Sequence, residues 1–240
     1  MGGHPCLASE AGRLRTSAGQ AGGQMPPLEL SSVYLAAKEA VISAGFAGEI
    51  DWQHDVSFGD LTERAFLREA AWVVLSAGLS AAVVSKKFGA FSAAFLDWTS
   101  ASKILAKRQL CRRKALTVFG NRRKVEAILS IVGTVATDGF GAVKDGIRLG
   151  GIAFLREFPH MGPATAYHLA KNIGLPVVKP DRHLLRVARS AGYDSPEELC
   201  SSIAEVVADP LPVVDLVIWR YATLHRDYVE RFSLSFRGHP

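Results

Sequence analysis

Residues Phe154 to Arg189 read FLREFPHMGPATAYHLAKNIGLPVVKPDRHLLRVAR, and this stretch decides the fold. Phe154, Leu155 and Phe158 give a helix an apolar face that stops at Pro159. Gly162 and Pro163 are expected to make the turn, since glycine tolerates positive φ and proline presets a helix-entry φ. Thr165 to Ala170 restarts a helix with small residues where two helices pack closely, and Gly174-Leu175-Pro176 ends it. Pro180 keeps Lys179 extended, because its ring clashes with a helical residue before it. Asp181 then stands where an N-cap would open a helix through Arg182, His183, Leu184 and Val187.

Those residues resemble the helix-hairpin-helix DNA glycosylases of the endonuclease III and alkylpurine type. The hairpin of that family has the form Leu-Pro-Gly-aliphatic-Gly-x-x-Thr-Ala, followed by an Asp at a helix start. This chain offers Phe158-Pro159-His160-Met161-Gly162-Pro163-Ala164-Thr165-Ala166 and then Pro180-Asp181. Weaker resemblance reaches upstream to about Phe66. Two positions depart from the pattern. His160 replaces the first hairpin glycine, and Ala164 stands where bifunctional members carry a Schiff-base lysine. Alanine has no amine to attack the sugar. The resemblance therefore implies a monofunctional enzyme that hydrolyses the N-glycosidic bond with water and leaves an abasic site.

Such a bond breaks through a sugar with oxocarbenium character. Negative charge near the cation and a positioned water are both needed, and one rigid carboxylate supplies them. Asp181 is the expected catalytic residue, against the alternative of a plain N-cap. The resemblance places duplex DNA at the hairpin, where backbone N–H groups around His160, Met161, Gly162, Ala164 and Thr165 would hold a phosphate without side chains. In the family a monovalent cation often bridges hairpin carbonyls and that phosphate. Lys171, Arg182 and Arg186 are candidate phosphate partners or solvated surface charges, and Lys179 could steer phosphate or tune the acid. His168 and His183 read as packing or backbone-bonded residues. To reach the bond the nucleotide must leave the duplex. Glu49 to His54 reads as a loop whose Trp52, Gln53 and His54 either stack on and read the extruded base or form an ordinary surface connection.

Composition is consistent with that reading. The chain has 240 residues, 48% of them hydrophobic, and a net charge of +5. Its charge is concentrated. Lys103, Lys107, Arg108, Arg112, Arg113, Lys114, Arg122, Arg123 and Lys124 fall in one acid-free stretch, read as a phosphate-facing patch or a solvated face. No apolar run approaches the roughly 20 residues that span a bilayer. Cys6, Cys111 and Cys200 are few and far apart, giving neither a disulfide framework nor zinc spacing, and a reducing cytoplasm, beside the nucleoid, is expected. Some family members hold an iron–sulfur cluster on four closely spaced cysteines after the catalytic domain. Only Cys200 lies there, so no cluster is expected.

The expected architecture is all-α and monomeric. Residues 1–27, rich in Gly, Ala and Ser, read as a disordered tail, with Met25 as a candidate start. Order is expected from Leu28, with a helix capped at Ser31-Ser32. One lobe would span about residues 60–150, and the second would combine 28–59 with 151–240, flanking a DNA cleft. Helices are expected at 61–75, 80–88, 91–98, 100–105, 111–119, 121–132 and 213–224, with a turn-rich stretch from Gly133 to Gly146. Trp219 and Tyr221 read as core between the lobes. The substrate base is not legible, and two rival functions stand beside the first: a non-catalytic hairpin DNA-binding protein, and a bifunctional glycosylase/lyase using Lys171 or Lys179.

Overall fold

A computed structural model describes residues 23–233, and all regular structure among them is helical. The all-α expectation holds. Most of the segment expected as a disordered tail lies outside the described residues, but its last part is corrected. Met25 is buried, its N–H donates to the Ala191 carbonyl and its own carbonyl accepts from the Tyr193 hydroxyl. Helix α1 (Pro27–Val41) starts at the Pro26-Pro27 pair rather than at Ser31-Ser32. Proline suits a first helical turn, where its missing N–H would have no partner anyway.

A π-turn with Gly45 at φ 90° leads from α1 into α2 (Ala47–Asp55). This second helix corrects the loop expected over Glu49 to His54. Its polar residues are not a connection but the outer face of a helix that buries Ile50 and Gln53. The next helices are α3 (Glu63–Ser76), α4 (Ala81–Ala94), α5 (Ala101–Ala106) and α6 (Arg108–Val118). Helix α4 runs through Gly89 as one element, because Phe88 and Phe91 both enter the same core. The break comes later, at Leu96-Asp97-Trp98, all at positive φ. Trp98 offsets that strain by stacking on Phe95 at 4.8 Å and donating its indole N–H to Ser92.

Helix α7 (Arg122–Asp138) continues into the stretch read as turn-rich, and α8 (Phe140–Leu155) leaves it at 105° across Gly139. Val135 and Ile147 extend the apolar face past the glycines, so burial outweighs their low helix propensity. A tight turn then leads to α9 (Pro163–Asn172), followed by α10 (Arg182–Ser190), α11 (Pro196–Val207), α12 (Leu211–Leu224) and α13 (Tyr228–Arg231). Thr62, Ser80, Ser100, Asn121, Asp181 and Ser195 each cap the helix that follows with a side-chain oxygen. Each such cap contributes about 1 kcal/mol. No single helix among the described residues is long and apolar enough to cross a membrane.

Two hydrophobic cores divide the fold. The first gathers α3 to α9, around Phe66, Val74, Phe91, Ile128 and Leu169. The second gathers α1, α2 and α10 to α13, around Tyr34, Leu184, Cys200, Val217 and Phe232. Phe158, Met161, Ala166 and Ile173 pack in the first core, so the chain changes core between Ile173 and Val178 rather than near residue 151.

Gly174 sits at that crossing. It has φ +86°, and a Cβ there would lie 2.4 Å from the Phe58 backbone nitrogen. Only glycine allows this turn and the 57–58 backbone to touch. Gly174→Ala is expected to cost about 2–3 kcal/mol, from the left-handed penalty and the push against backbone. Urea denaturation reads this directly, and a loss below about 1 kcal/mol would show that residues 57–58 simply step aside.

Candidate functional site

The turn between α8 and α9 is built differently from its sequence reading. Gly162 has φ −69° and is extended, while His160 takes the left-handed conformation at φ 65°. His160 thus adopts the backbone that the missing glycine would have supplied, at the ordinary cost of αL for a residue with a Cβ. The Thr165 hydroxyl holds the turn, within 2.9 Å of the His160 carbonyl and 3.0 Å of the Gly162 carbonyl. The Gly162 carbonyl also accepts from Ala166 N–H. Met161 points into the first core at 2% exposure, so only its backbone could meet a ligand.

Past the turn, α9 forms one wall of a cavity of about 770 Å³ between the two cores. Ala164, Thr165, His168, Lys171 and Asn172 face it from α9, and Lys179 and Asp181 from the segment beyond. Helix α2 contributes Glu49, Trp52 and Gln53, helix α3 contributes Arg68, Glu69 and Trp72, and helix α12 contributes Asp215, Trp219 and Arg220. Three tryptophans thus line one space with a carboxylate that opens a helix. Flat aromatic walls suit a planar ligand.

Polar cross-links fix the walls to one another. The Gln53 amide donates to the Lys171 carbonyl at 3.2 Å, and the Asn172 amide donates to Glu69 Oε2 at 3.0 Å. Arg220 forms a two-pronged pair with Glu49 and lies over Phe46 at 4.3 Å and Trp219 at 4.7 Å. Lys171 Nζ donates to Asp215 Oδ1 at 2.5 Å, and the Lys179 backbone N–H donates to Asp215 Oδ2 at 2.5 Å. Asp215 is therefore a clamp between α9 and the segment that carries Asp181. Asp181 itself accepts from His183 N–H at 2.8 Å and Leu184 N–H at 3.0 Å through Oδ1 alone. Neither bond uses Oδ2.

Electrostatics differ sharply across the site. Burial, then the positive charges of Lys179 and Lys171, push His168 down to about 3, so its imidazole is neutral near pH 7. Burial raises Glu69 above the usual carboxylate range, against the opposing pull of Arg68 and Asn172. Burial lowers Lys179, and Lys171 adds to that.

His168 makes a pH prediction. Between about 3 and 6.5 the folded chain binds fewer protons at this site than the unfolded chain, so stability rises with pH in that window and falls on acidification. From pH 8 to pH 5 the loss from this residue is about 2 kcal/mol, at roughly 1.4 kcal/mol per pH unit below the unfolded value. His168→Gln should flatten that part of the profile, as followed by urea denaturation at a series of pH values. Parallel profiles for the two proteins would remove His168 as the cause.

Several expected site residues lie together and several do not. Trp52, Gln53, Ala164, Thr165, Lys171, Lys179 and Asp181 share the cavity. His54 faces solvent beside Asp55. His160 and Gly162 lie on the exposed turn, and Arg182 and Arg186 on the exposed face of α10. Arg186 donates to the Tyr228 hydroxyl at 3.4 Å, and His183 Nδ1 meets the same oxygen at 3.1 Å. Lys171 is corrected: it is not a surface phosphate partner but is 6% exposed and paired with Asp215. The basic stretch is also more divided than its sequence indicates. Lys124 is buried and donates to the Leu75 and Ala77 carbonyls at 2.6 Å, while Arg108 and Arg112 both pair with Glu126.

Glu69, Trp72, Asn172, Asp215 and Arg220 were not anticipated, and Trp219 was read only as core. Glu69 and Asp215 did carry a signal. Each is a lone acid inside an apolar helical run, and such a carboxylate is buried only with partners. Among the described residues no group of three or more His, Cys, Asp or Glu side chains converges as a metal site. Compared with known proteins, the chain matches no family model and no curated protein.

Proposed function

We propose that this chain is a monofunctional DNA glycosylase of the helix-hairpin-helix kind. It acts as a monomer on double-stranded DNA beside the nucleoid, extruding a damaged or modified base and hydrolysing its N-glycosidic bond. The observation that carries the reading is the position of Asp181 at the mouth of α10 on the wall of a cavity that Trp52 and Trp72 also line. Asp181 holds the attacking water and faces the cation that develops on the sugar. Its Oδ1 is fixed by two backbone N–H groups, which leaves Oδ2 for that work.

Ala164 faces the same cavity and brings no amine to the sugar. Backbone N–H groups at the start of α9 meet a phosphate beside the extruded nucleotide, where the exposed turn leaves room for the backbone. Arg182 and Arg186, exposed on α10, add positive charge along the same edge. The tryptophans stack on the base, and Gln53, Glu69 and Asn172 present polar edges to it.

The experiment is base release from duplexes that carry uracil, mismatched thymine, alkylated purines, oxidised purines or modified cytosines. Free base is read by mass spectrometry, and strands are resolved with and without alkali. Release of one base, with breaks developing on alkali, supports the reading and names the substrate. Tight binding with no release from any duplex moves the non-catalytic DNA-binding protein ahead of it.

A further inference from the structure

Between Ala70 and Val125 the chain carries eleven Lys or Arg residues and a single acid, Asp97, although its net charge is only +5, so the remainder is net acidic. The fold neutralises or buries part of this charge. Arg108 and Arg112 pair with Glu126, and Lys124 is buried. Lys114 on α6 and Arg122 and Arg123 on α7 stay exposed, and no ion pair or side-chain hydrogen bond holds them among the described residues. A merely solvated helix face usually alternates its signs, and this one does not.

Internal contacts bring the remaining cations to one corner. Lys87 on α4 reaches the end of α6, where its ammonium donates to the Val118 carbonyl at 3.4 Å and lies 5.5 Å from the centre of the Phe119 ring. Lys114 is one helical turn before Val118, and only Phe119, Gly120 and Asn121 separate Val118 from Arg122. The same corner is fastened to the cavity. Lys124 Nζ donates to the Leu75 and Ala77 carbonyls at 2.6 Å, and Ala77 lines the cavity with the exposed Gly78 and Leu79. Lys124 is therefore a staple that sets the first turn of α7 against the cavity rim, with Arg122 and Arg123 exposed on that turn.

We infer that Lys87, Lys114, Arg122 and Arg123 form a second DNA-binding surface, which holds backbone phosphates of the duplex flanking the extruded nucleotide. This rests on the proposed action on DNA. It adds a grip from α4, α6 and α7 to the contacts at the α8–α9 turn and α10. Four cations spread over three helices suit an extended polyanion. Ammonium and guanidinium groups meet its phosphates without reading sequence, so the surface adds affinity and register but leaves the choice of base to the cavity.

The test is binding of an undamaged duplex across a salt series, by the full chain and by a triple variant with Lys114→Gln, Arg122→Gln and Arg123→Gln. Lys87 stays, because it packs on Phe119. Each lost phosphate contact lowers the slope of log affinity against log salt by about 0.9, so the variant's slope is expected to be shallower by about 2.7, with binding weaker by at least roughly tenfold. Hydroxyl-radical footprinting on a duplex with one stable abasic analogue should show protection lost along one flank and kept at the analogue. The three side chains are exposed, and equal urea midpoints check that the fold is intact. An unchanged slope with affinity within about twofold, or a footprint that fades evenly along its length, overturns the inference. Because the duplex is undamaged, the salt series does not depend on base release. The expected slope change without base release defeats only the hydrolytic reading. Base release with an unchanged slope defeats only this one, and a full chain that binds no duplex defeats both.

Discussion

Asp181→Asn is expected to leave the fold and DNA binding in place and to slow base release by about a hundred- to ten-thousand-fold, the range for loss of a positioned acid–base group. Asparagine suits the test because Asp181 does two jobs. Its Oδ1 accepts from His183 and Leu184 N–H groups and so starts α10. Asparagine caps a helix about as well as aspartate, so the amide oxygen keeps those bonds and the stability change stays within about 0.5 kcal/mol. The amide, however, carries no negative charge toward the sugar and takes no proton from water. Single-turnover base release and equilibrium DNA binding, measured on the same preparation, separate the two roles. If base release survives within about threefold, Asp181 is a cap alone, and the chemistry must be sought elsewhere in the cavity.

The parts of this fold that were legible in the sequence are those written in local chemistry. Ser195-Pro196 and Asn121 announced helix starts that the structure keeps, and Asp181 announced a cap, which lies on the cavity wall. Illegible parts depended on partners far along the chain. Glu49 to His54 looked like a loop because its polar residues are dense. Gln53 is buried only because the Lys171 carbonyl, distant in sequence, accepts its amide. Lys171 looked like a surface charge for the same reason: its counter-ion is on α12. The glycines at 133 and 139 looked like a turn, yet α7 ends only at Asp138 because Val135 still has core to enter. At the α8–α9 junction the turn was readable, but which residue would take positive φ was not. Gly162 is free to do so and His160 does it instead, held by the Thr165 hydroxyl.

Lys171→Met is expected to destabilise the protein by about 3–5 kcal/mol, the usual cost of stranding one member of a buried ion pair. Asp215 is 1% exposed, so without Lys171 its carboxylate would keep only the Lys179 N–H for compensation. Methionine fills the same length with an apolar chain, which confines the loss to charge and hydrogen bonding. Adding Asp215→Asn should restore most of the stability. The amide removes the stranded charge and keeps an oxygen for the Lys179 N–H. Asp215→Ala alone should be as harmful as Lys171→Met, since it leaves both the Lys171 ammonium and the Lys179 N–H without their acceptor. Denaturant unfolding of Lys171→Met, Asp215→Asn and the double variant that combines them forms a cycle that isolates the pair. A single-variant loss below about 1 kcal/mol would mean that water reaches the pair and compensates it. The clamp also has a consequence for the site, because it joins α9, which carries Ala164 and Thr165, to the segment that carries Lys179 and Asp181. In the double variant, where the charge problem is gone but the lysine tether is lost, any remaining fall in base release measures how far Asp181 relies on that tether for its position.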